Sequence, residues 1–211
     1  MRGHNHAIQR LKNVADVSRE TIAALETYEK LLRKWNPAIN LVSASTLNDI
    51  WHRHFLDSAQ IWRLCPPGAT KWVDLGSGGG FPGLVVAVIA KEVAPELELV
   101  LVESDVRKAT FLREASRALS LKTTIHATRI EALEPQNGDV VSARALAPLP
   151  KLLPLAARHL GNSGICLFSK GESVETELTD ARKCWKFTLE KSPSITGSGG
   201  IILKIGGLGR V

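Results

Sequence analysis

The chain has 211 residues, of which 44% are hydrophobic and 23% are charged, and its 27 Lys and Arg against 21 Asp and Glu give a formal net charge of +6. This composition is typical of one folded domain of ordinary size, and it excludes a disordered or fibrous chain. The longest apolar run, Phe81–Ala90, is half as long as a membrane-spanning helix, so no membrane span is predicted. The positive charge, with an isoelectric point near 9.4, favours an acidic partner.

The three cysteines, Cys65, Cys166 and Cys184, are odd in number and form no C-x-x-C pair. A structural zinc site or a disulfide framework is therefore not expected, and no metal ion is predicted. The first residues combine helical spacing with charges, unlike the apolar segment of a signal peptide. A reducing cytoplasm is the expected location.

The first predicted elements are two helices, which end at the turn Cys65-Pro66-Pro67-Gly68. Ser18 can cap the first helix, and Asn36-Pro37 is predicted to end it, because a proline disfavours the helical conformation of the residue before it. A second helix is predicted over 46–64. The apolar positions of the first helix recur every three or four residues: Ile22, Leu25, Tyr28, Leu31, Leu32 and Trp35. Residues 1–66 are therefore predicted to form a helical N-terminal cap.

After this turn, apolar strand-like segments alternate with segments of helical spacing. The predicted strands are 71–76, 98–103, 122–126, 138–143, 164–170, 185–190 and 201–205, and the predicted helices are 82–92, 106–119, 149–160 and 175–183. Strands separated by helices predict an α/β fold with a mostly parallel, twisted sheet and helices on both faces. The last two strands have no helix between them, which predicts an antiparallel pair at one edge. Residues 67–211 are predicted to form this domain.

The strongest chemical signal is the segment Asp74-Leu75-Gly76-Ser77-Gly78-Gly79-Gly80-Phe81-Pro82-Gly83, which joins the first predicted strand to a helix. Four glycines in five positions let the backbone turn sharply and approach a ligand without a Cβ atom in the way. In an open α/β sheet, such a loop lies in the ligand crevice outside the carboxyl ends of the strands. Glu103 closes the next strand, 20 residues after Gly83, where a carboxylate typically accepts hydrogen bonds from a ribose.

Two kinds of cofactor are compatible with the glycine loop, and the acid before the loop, Asp74, helps to choose between them. The stretch Gly78–Gly83 formally matches G-x-G-x-x-G, so a dinucleotide-binding oxidoreductase is one alternative. Asp74 instead favours S-adenosylmethionine, because its carboxylate could hold an ammonium group or its water shell and would repel a pyrophosphate. The residues after 84 are barely enough to complete one sheet, which leaves no substrate domain for hydride transfer.

Further short motifs lie along nearly the whole chain: Lys34-Trp35-Asn36, Asn40-Leu41-Val42-Ser43 and Arg53-His54-Phe55-Leu56-Asp57-Ser58 in the cap, then Glu103-Ser104 with Lys108, Phe111-Leu112-Arg113, Ser142-Ala143-Arg144-Ala145 and Lys170-Gly171. Together with the glycine loop, they resemble the GidB (RsmG) family of 7-methylguanosine methyltransferases of bacterial small-subunit ribosomal RNA. The motifs in the cap are more specific than the loop, which many methyltransferases share. The family often has an arginine just before the last strand, where this chain has Ser198-Gly199-Gly200.

The resemblance implies a Rossmann-like class I methyltransferase that uses S-adenosylmethionine and acts on N7 of a guanine in 16S ribosomal RNA or in a small-subunit particle. It also implies a cofactor site formed by Gly76, Gly78, Phe81, Glu103, Ile130, Glu131 and Arg144. Glu103 would bind the ribose, and Ile130 and Glu131 would flank the adenine. Arg144, at the tip of the fourth strand, would face the methyl-transfer crevice.

The expected chemistry needs no general base. Residues 142–148 contain neither the Asn/Asp-Pro-Pro-aromatic cluster that accepts an exocyclic amine nor a Pro-Cys nucleophile. Guanine N7 carries no proton, so positioning and desolvation of the reactants are the enzyme's task, and Arg144 is the positioning candidate. His54 and Asp57, three residues apart, are expected to make a structural hydrogen bond that fixes the cap rather than an acid–base pair.

Basic side chains around the crevice are expected to contact the RNA: Lys30, Arg33, Lys34, Arg53 and Lys170. Lys and Arg at a groove supply salt-sensitive affinity for phosphates. Two further alternatives stay open. A methyltransferase for a small metabolite would have a closed apolar pocket over the loop, and a non-enzymatic RNA-binding module would retain its function after Glu103→Ala or Gly78→Val.

Overall fold

The computed structural model describes residues 2–197 and 199–211. Seven strands and seven α-helices follow in the order α1 (Arg2–Ala15), α2 (Arg19–Ile39), α3 (Asp57–Ala59), β1 (Lys71–Leu75), α4 (Gly83–Val93), β2 (Glu98–Val102), α5 (Val106–Ala118), β3 (Thr123–His126), β4 (Gly138–Arg144), α6 (Leu149–His159), β5 (Leu160–Lys170), α7 (Val174–Ala181), β6 (Trp185–Pro193) and β7 (Ile201–Arg210). None of the helices in this described part is long and apolar enough to cross a membrane.

The strands form one sheet in the order β3-β2-β1-β4-β5-β7-β6. Strands β1 to β5 are parallel to one another, whereas β7 runs antiparallel to both β5 and β6. The predicted antiparallel pair therefore occupies one edge, with β6 outermost. The chain moves outward from β1 in one direction through β2 and β3 and then in the other through β4, so a crevice opens between the ends of β1 and β4.

Both faces of the sheet are buried, and alternate residues of its central strands belong to two separate cores. In β2, Leu99 and Leu101 face the first core, which contains α1, α2, α4 and α5. Val100 and Val102 face the second core, which contains α6 and α7. Burial on both faces explains why these strands have nearly continuous apolar sequences.

The predicted end of the first helix is wrong, since α2 continues through Pro37 to Ile39. Pro37 lies in the last turn, where its missing N–H removes only one intrahelical hydrogen bond. The helix ends at Asn40, which has a left-handed φ of 47° and donates its backbone N–H to the Asn36 carbonyl. The Asn36 side chain accepts a hydrogen bond from Val42 N at 2.8 Å and so fixes the exit of the chain.

The second predicted helix is also irregular. It spans Ala44–Leu64 as a 3-10 segment, a π-helical segment over Trp51–Leu56, the short α3 and another 3-10 segment. π-Helical turns often occur at functional sites, and this one contains Arg53–Leu56, the first four residues of the Arg53–Ser58 motif. The N-terminal cap packs into the same hydrophobic core as α4 and α5.

Candidate cofactor and acceptor site

The glycine loop follows β1 and is anchored to the neighbouring strand. The backbone N–H groups of Gly76 and Ser77 donate to the Val102 carbonyl at 2.9 and 3.1 Å. Gly80 requires glycine for two reasons: its φ is 90°, and a Cβ atom there would overlap the Tyr28 hydroxyl and approach Leu84 Cδ1 to 2.6 Å. The loop thus keeps its path by close packing against the cap as well as by its own turns.

Asp74 does not reach the cavity above this loop, contrary to the suggestion that it could hold an ammonium group. Its side chain is fully buried, and it accepts hydrogen bonds from Ser142 Oγ at 2.7 Å and Gly83 N at 3.2 Å. Burial raises its pKa to about 6, although the hydrogen bonds from Ser142, Ser77 and Gly83 oppose the shift. Asp74 therefore ties β1 to β4 and to the start of α4.

A cavity of about 800 Å³ opens above the loop at the carboxyl ends of β1 to β4. Its volume lies in the usual range for small-molecule sites. All seven residues predicted for the cofactor line it: Gly76, Gly78, Phe81, Glu103, Ile130, Glu131 and Arg144. The structure therefore brings together the groups that the sequence spread over 69 positions (76 to 144).

The Glu103 carboxylate is already oriented by the protein backbone. Its Oε2 accepts from Gly78 N and its Oε1 from Asp105 N, both at 2.8 Å, and the residue is only 8% exposed. A carboxylate has about four acceptor positions, so each oxygen keeps one for a ligand. This arrangement suits a pair of ribose hydroxyls.

The turn that contains Ile130 and Glu131 is fixed from below by a buried histidine. Its residues Ile130–Ala132 form one 3-10 turn, with Ile130 buried and Glu131 exposed. His159 Nε2 lies 2.9 Å from the Ile130 carbonyl, and because a carbonyl only accepts, Nε2 carries the proton. The backbone of this turn is thus held at the edge of the cavity.

The Arg144 guanidinium is held by the cap from above. Its Nη2 lies 2.6 Å from His54 Nδ1, and its Nη1 lies 3.1 Å from the Arg53 carbonyl and 3.3 Å from Asp57 Oδ2. The guanidinium carbon lies 5.1 Å from the centre of the Phe81 ring, within cation–π range. His54 and Asp57 therefore share a partner in Arg144. Among the described residues no hydrogen bond joins their two side chains, although the Asp57 backbone N–H donates to the His54 carbonyl.

The protonation state of His54 follows from its partners. Arginine has no acceptor, so Nδ1 must accept from Arg144, and Nε2 must carry the proton that it donates to Thr46 Oγ1 at 2.8 Å. Burial, followed by the charges of Arg144 and Arg53, lowers the His54 pKa to about 3. His54 is neutral and uses both ring nitrogens.

The cap also holds the glycine loop directly. The Tyr28 hydroxyl, fully buried, donates to the Gly79 carbonyl. The Tyr28 and Phe81 rings stack with centres 5.4 Å apart, and the rings of Phe55 and His54 lie 5.7 and 4.9 Å from Phe81. The position of Phe81 in the cavity wall therefore depends on three side chains of the cap.

The predicted RNA contacts fall into three groups. Lys30, Arg33 and Lys34 are exposed on α2, but they do not line the cavity, and Arg33 pairs with Glu29 at 2.8 Å. Arg53 is exposed and lines the cavity. Lys170 does not support the prediction, because its side chain is only 9% exposed and its ammonium is held by Glu177 Oε2 at 2.8 Å and the Ala147 carbonyl at 2.7 Å.

Three further basic residues line the same cavity but were not predicted from the sequence as RNA contacts: Lys108, Arg129 and Lys151. Lys108 lies in the first turn of α5, Arg129 directly precedes the 130–132 turn, and Lys151 lies in the first turn of α6. Each follows the carboxyl end of a parallel strand, and this rule could have found them.

A second cavity of about 570 Å³ adjoins the first. The two cavities share Arg53, Asp57 and the strip Arg144–Ala147, and Lys170 and Ile201 line the far side of the second. No cluster of three or more potential metal ligands occurs in the described part of the chain. Of the stretch Ser198-Gly199-Gly200, which lacks the expected arginine before the last strand, Ser198 lies outside the described residues.

Comparison with known proteins identifies the family. The model of the GidB family, described as rRNA small subunit methyltransferase G, matches residues 21–202. The chain belongs to this family. The Ribosomal RNA small subunit methyltransferase G of Cereibacter sphaeroides is 54% identical over 93% of this chain and 94% of its own length. That of Rhodospirillum centenum is 55% identical over 90% of this chain and 85% of its own.

The fold of this family member also occurs in distant solved structures. An O-methyltransferase from Bacillus cereus in complex with SAH superposes with a TM-score of 0.56 at 13% identity, over 92% of this chain and 96% of that one. At this identity the likeness concerns the fold alone. The fold class and the family predicted from the sequence are thus confirmed.

Proposed function

We propose that the chain transfers a methyl group from S-adenosylmethionine to N7 of a guanine in 16S ribosomal RNA. The observation that carries this proposal is the convergence of the glycine loop, Glu103 and the 130–132 turn on one cavity, in a chain of the rRNA small subunit methyltransferase G family. A second open cavity adjoins it and offers space for the acceptor base.

The residues of the first cavity fit the proposed cofactor. Gly76 and Gly78 let the backbone come close to it, and the two spare acceptor positions of Glu103 suit its ribose hydroxyls. Ile130 and Glu131 flank its adenine. When bound, S-adenosylmethionine supplies an electrophilic methyl group on a sulfonium ion.

The acceptor base enters the second cavity, next to the shared strip Arg144–Ala147. Guanine N7 has a free lone pair and no proton, so the side chains need only orient the base and exclude water. The titratable groups that both cavities share fit this chemistry. Among the described residues, Asp57 is paired with Arg144, and the neighbouring His54 uses both nitrogens, so neither is free to take a proton.

RNA phosphates contact the basic rim, which we define as Arg53, Lys108, Arg129 and Lys151. All four line the first cavity, and none of their side chains has a hydrogen bond or an ion pair within the described ranges 2–197 and 199–211. Five basic side chains line this cavity against three acids, Asp57, Glu103 and Glu131, so its lining keeps a net positive charge (5 − 3 = +2). An unpaired cationic rim attracts a polyanion to the place where its base must enter.

The proposed function is tested first by ligand stabilisation and then by mapping. S-adenosylhomocysteine is expected to raise the Tm of the protein, whereas NADH is not. Small-subunit RNA from cells that lack the protein should lose one site of cleavage by borohydride and aniline, the treatment that cuts RNA at N7-methylguanosine. The purified protein should restore that site when S-adenosylmethionine is added. An unchanged cleavage pattern would refute the RNA assignment while leaving the cofactor assignment intact.

The basic rim is tested by two matched triple variants, each of which removes two lysines and one arginine. Lys108→Ala/Arg129→Ala/Lys151→Ala is expected to lower the slope of log K against log salt for RNA binding by about 2, at about 0.7 per lost phosphate contact. Lys30→Ala/Arg33→Ala/Lys34→Ala on α2 should leave the slope nearly unchanged. Equal effects of the two triples would contradict the basic rim as the RNA-binding surface.

A further inference from the structure

Arg144 lies in the wall between the two cavities, and its hydrogen bonds to the cap leave part of it free. The three bonds to Arg53 O, Asp57 Oδ2 and His54 Nδ1 use two N–H groups of Nη1 and one of Nη2. A guanidinium has five N–H groups. The Nε–H and one Nη2–H therefore have no partner among the described residues, and they are available to a ligand oxygen.

The histidine that holds Arg144 is itself connected, through Thr46, to the Asn40–Ser43 motif of the cap. His54 Nε2 donates to Thr46 Oγ1 at 2.8 Å, and Thr46 Oγ1 donates to the Ser43 carbonyl at 2.9 Å. This chain of hydrogen bonds connects the Asn40–Ser43 motif to Arg144. Only 8% of His54 is exposed, so the ring cannot turn away without losing buried hydrogen bonds.

The aspartate that holds Arg144 is fixed from its other oxygen. Asp57 Oδ1 accepts from Gln60 Nε2 at 2.9 Å, Ser194 Oγ at 3.2 Å and Thr196 Oγ1 at 3.4 Å. Ser194 and Thr196 belong to the connection between β6 and β7, and Thr196 lines the first cavity. Asp57 thus joins three parts of the fold, which are the cap, the tip of β4 and this connection.

We propose that His54 and Asp57 are positioning residues for methyl transfer, which hold Arg144 so that its two free N–H groups contact an anionic oxygen of the cofactor or of the RNA. This inference rests on the proposed function. A free arginine side chain carries substantial rotamer entropy, which it must lose when it binds a ligand. In this fold the entropy is lost on folding instead, so Arg144 is already oriented when the reactants arrive.

The test compares two amides at position 54. In His54→Asn, the amide oxygen occupies the place of Nδ1 and can still accept from Arg144. In His54→Gln, the amide lies one atom further out, near the place of Nε2, so it can contact Thr46 but no longer holds Arg144. We expect His54→Gln to lower kcat/KM at least about tenfold and His54→Asn to lower it by less than about threefold, because small errors in position cost much of the rate.

Two further variants separate positioning from stability. Glu92→Ala removes a polar contact between the cap and α4 that lies outside the cavity, where Glu92 accepts from Ser18 and Thr21. It should lower the free energy of unfolding without changing kcat. Asp57→Asn keeps the shape of the side chain but removes its charge, and it should lower kcat/KM as His54→Gln does while its circular dichroism stays that of the wild type.

The measurements also distinguish the source of the anionic oxygen. A weaker Kd for S-adenosylhomocysteine in His54→Gln assigns the contact to the cofactor carboxylate, whereas a higher KM for RNA with an unchanged Kd assigns it to a phosphate. Equal losses in His54→Asn and His54→Gln, or no loss in either, would overturn the positioning role. A wild-type protein that binds S-adenosylhomocysteine but methylates no small-subunit RNA would instead overturn the proposed function, and the comparison of Kd values would still test the contact.

Discussion

At the scale of single residues, two buried ionisable groups near the cavity have pKa values displaced in opposite senses. Burial favours the neutral form of each, so it lowers the pKa of the His54 base to about 3 and raises that of the Asp74 acid to about 6. His54 is adjacent to the ligand groups, whereas Asp74 lies beneath the glycine loop. The two groups therefore change the free energy of unfolding in opposite directions as the pH changes.

For His54 the pH dependence can be predicted with its sign. The ordinary pKa of histidine is 6.5 and the folded value is about 3, so the unfolded chain binds the extra proton between these values. Its contribution to stability is therefore complete above pH 6.5 and is lost as the pH falls towards 3. His54→Gln lacks this contribution, so the free-energy difference between wild type and variant should shrink on acidification, by at most about 1.4 kcal/mol per pH unit.

The measurement is urea unfolding of both proteins between pH 4 and 7.5, a range that includes most of the interval between the folded and unfolded pKa values of His54. Asp74 contributes with the opposite sign between 3.8 and about 6, but it is present in both proteins and cancels in the difference. A difference that stays constant with pH would contradict the neutral, buried state of His54.

At the scale of secondary-structure elements, the central strands were predictable because burial on both faces demands a continuous apolar run. The strand β1 and the strand β2 each end one residue before the predicted position. The start of β5 was not predictable, because Gly161-Asn162-Ser163 has the composition of a turn. An irregularity in the pairing of β4 with β5 lets this segment remain in the strand.

The N-terminal cap was less predictable than the sheet, since tertiary contacts decide its shape. The helix α2 passes Pro37 because Asn36 and Asn40 satisfy the backbone beyond it. The π-helical segment was not predictable either, because its sequence is equally compatible with an ordinary α-helix. In the structure it packs around Phe81, a residue that is distant in sequence.

The contact between the glycine loop and the cap gives a prediction at this scale. Gly80→Ala adds a methyl group against Tyr28 and Leu84 at a φ of 90°, whereas Gly68→Ala adds one at a φ of 77° with no atom within 4 Å. Both substitutions incur the backbone cost of a positive φ, which is about 1–2 kcal/mol. Gly80→Ala should lower the free energy of unfolding by about 2 kcal/mol more than Gly68→Ala, because overpacking adds to it.

Urea unfolding of the two glycine variants measures this difference, and Gly68→Ala serves as the control for backbone strain. Gly80→Ala should also weaken binding of S-adenosylhomocysteine, since the loop must move away from Tyr28. Equal losses of stability in the two variants would contradict the prediction, because they would show that Tyr28 and Leu84 can move aside without lowering the free energy of unfolding.

At the scale of the whole molecule, the candidate site was predictable wherever a residue follows a strand. Gly76, Glu103, Ile130 and Arg144 come from different strand ends, and a parallel sheet brings such ends to one edge. The contribution of the cap was not predictable in this way, because no pairing rule says where a helical segment docks. The contact between His54 and Arg144 spans 90 positions and depends on that docking.

The shared core of the cap and the sheet predicts that they unfold together. The first core contains Leu25 and Phe55 from the cap and Leu84 and Phe111 from α4 and α5. Four of the five tryptophans lie in the cap or in β1, so fluorescence reports mainly on this region. Urea transitions followed by fluorescence and by far-UV circular dichroism should therefore coincide. Separate midpoints would establish the cap, residues 1–66, as an independent folding unit.

The strip Arg144–Ala147 belongs to the walls of both cavities. A molecule that displaces this strip in one cavity necessarily reshapes the other, so the two occupancies are energetically linked. Thermodynamic reciprocity then fixes the relation between them: the factor by which one ligand alters the affinity of the second equals the factor by which the second alters the affinity of the first.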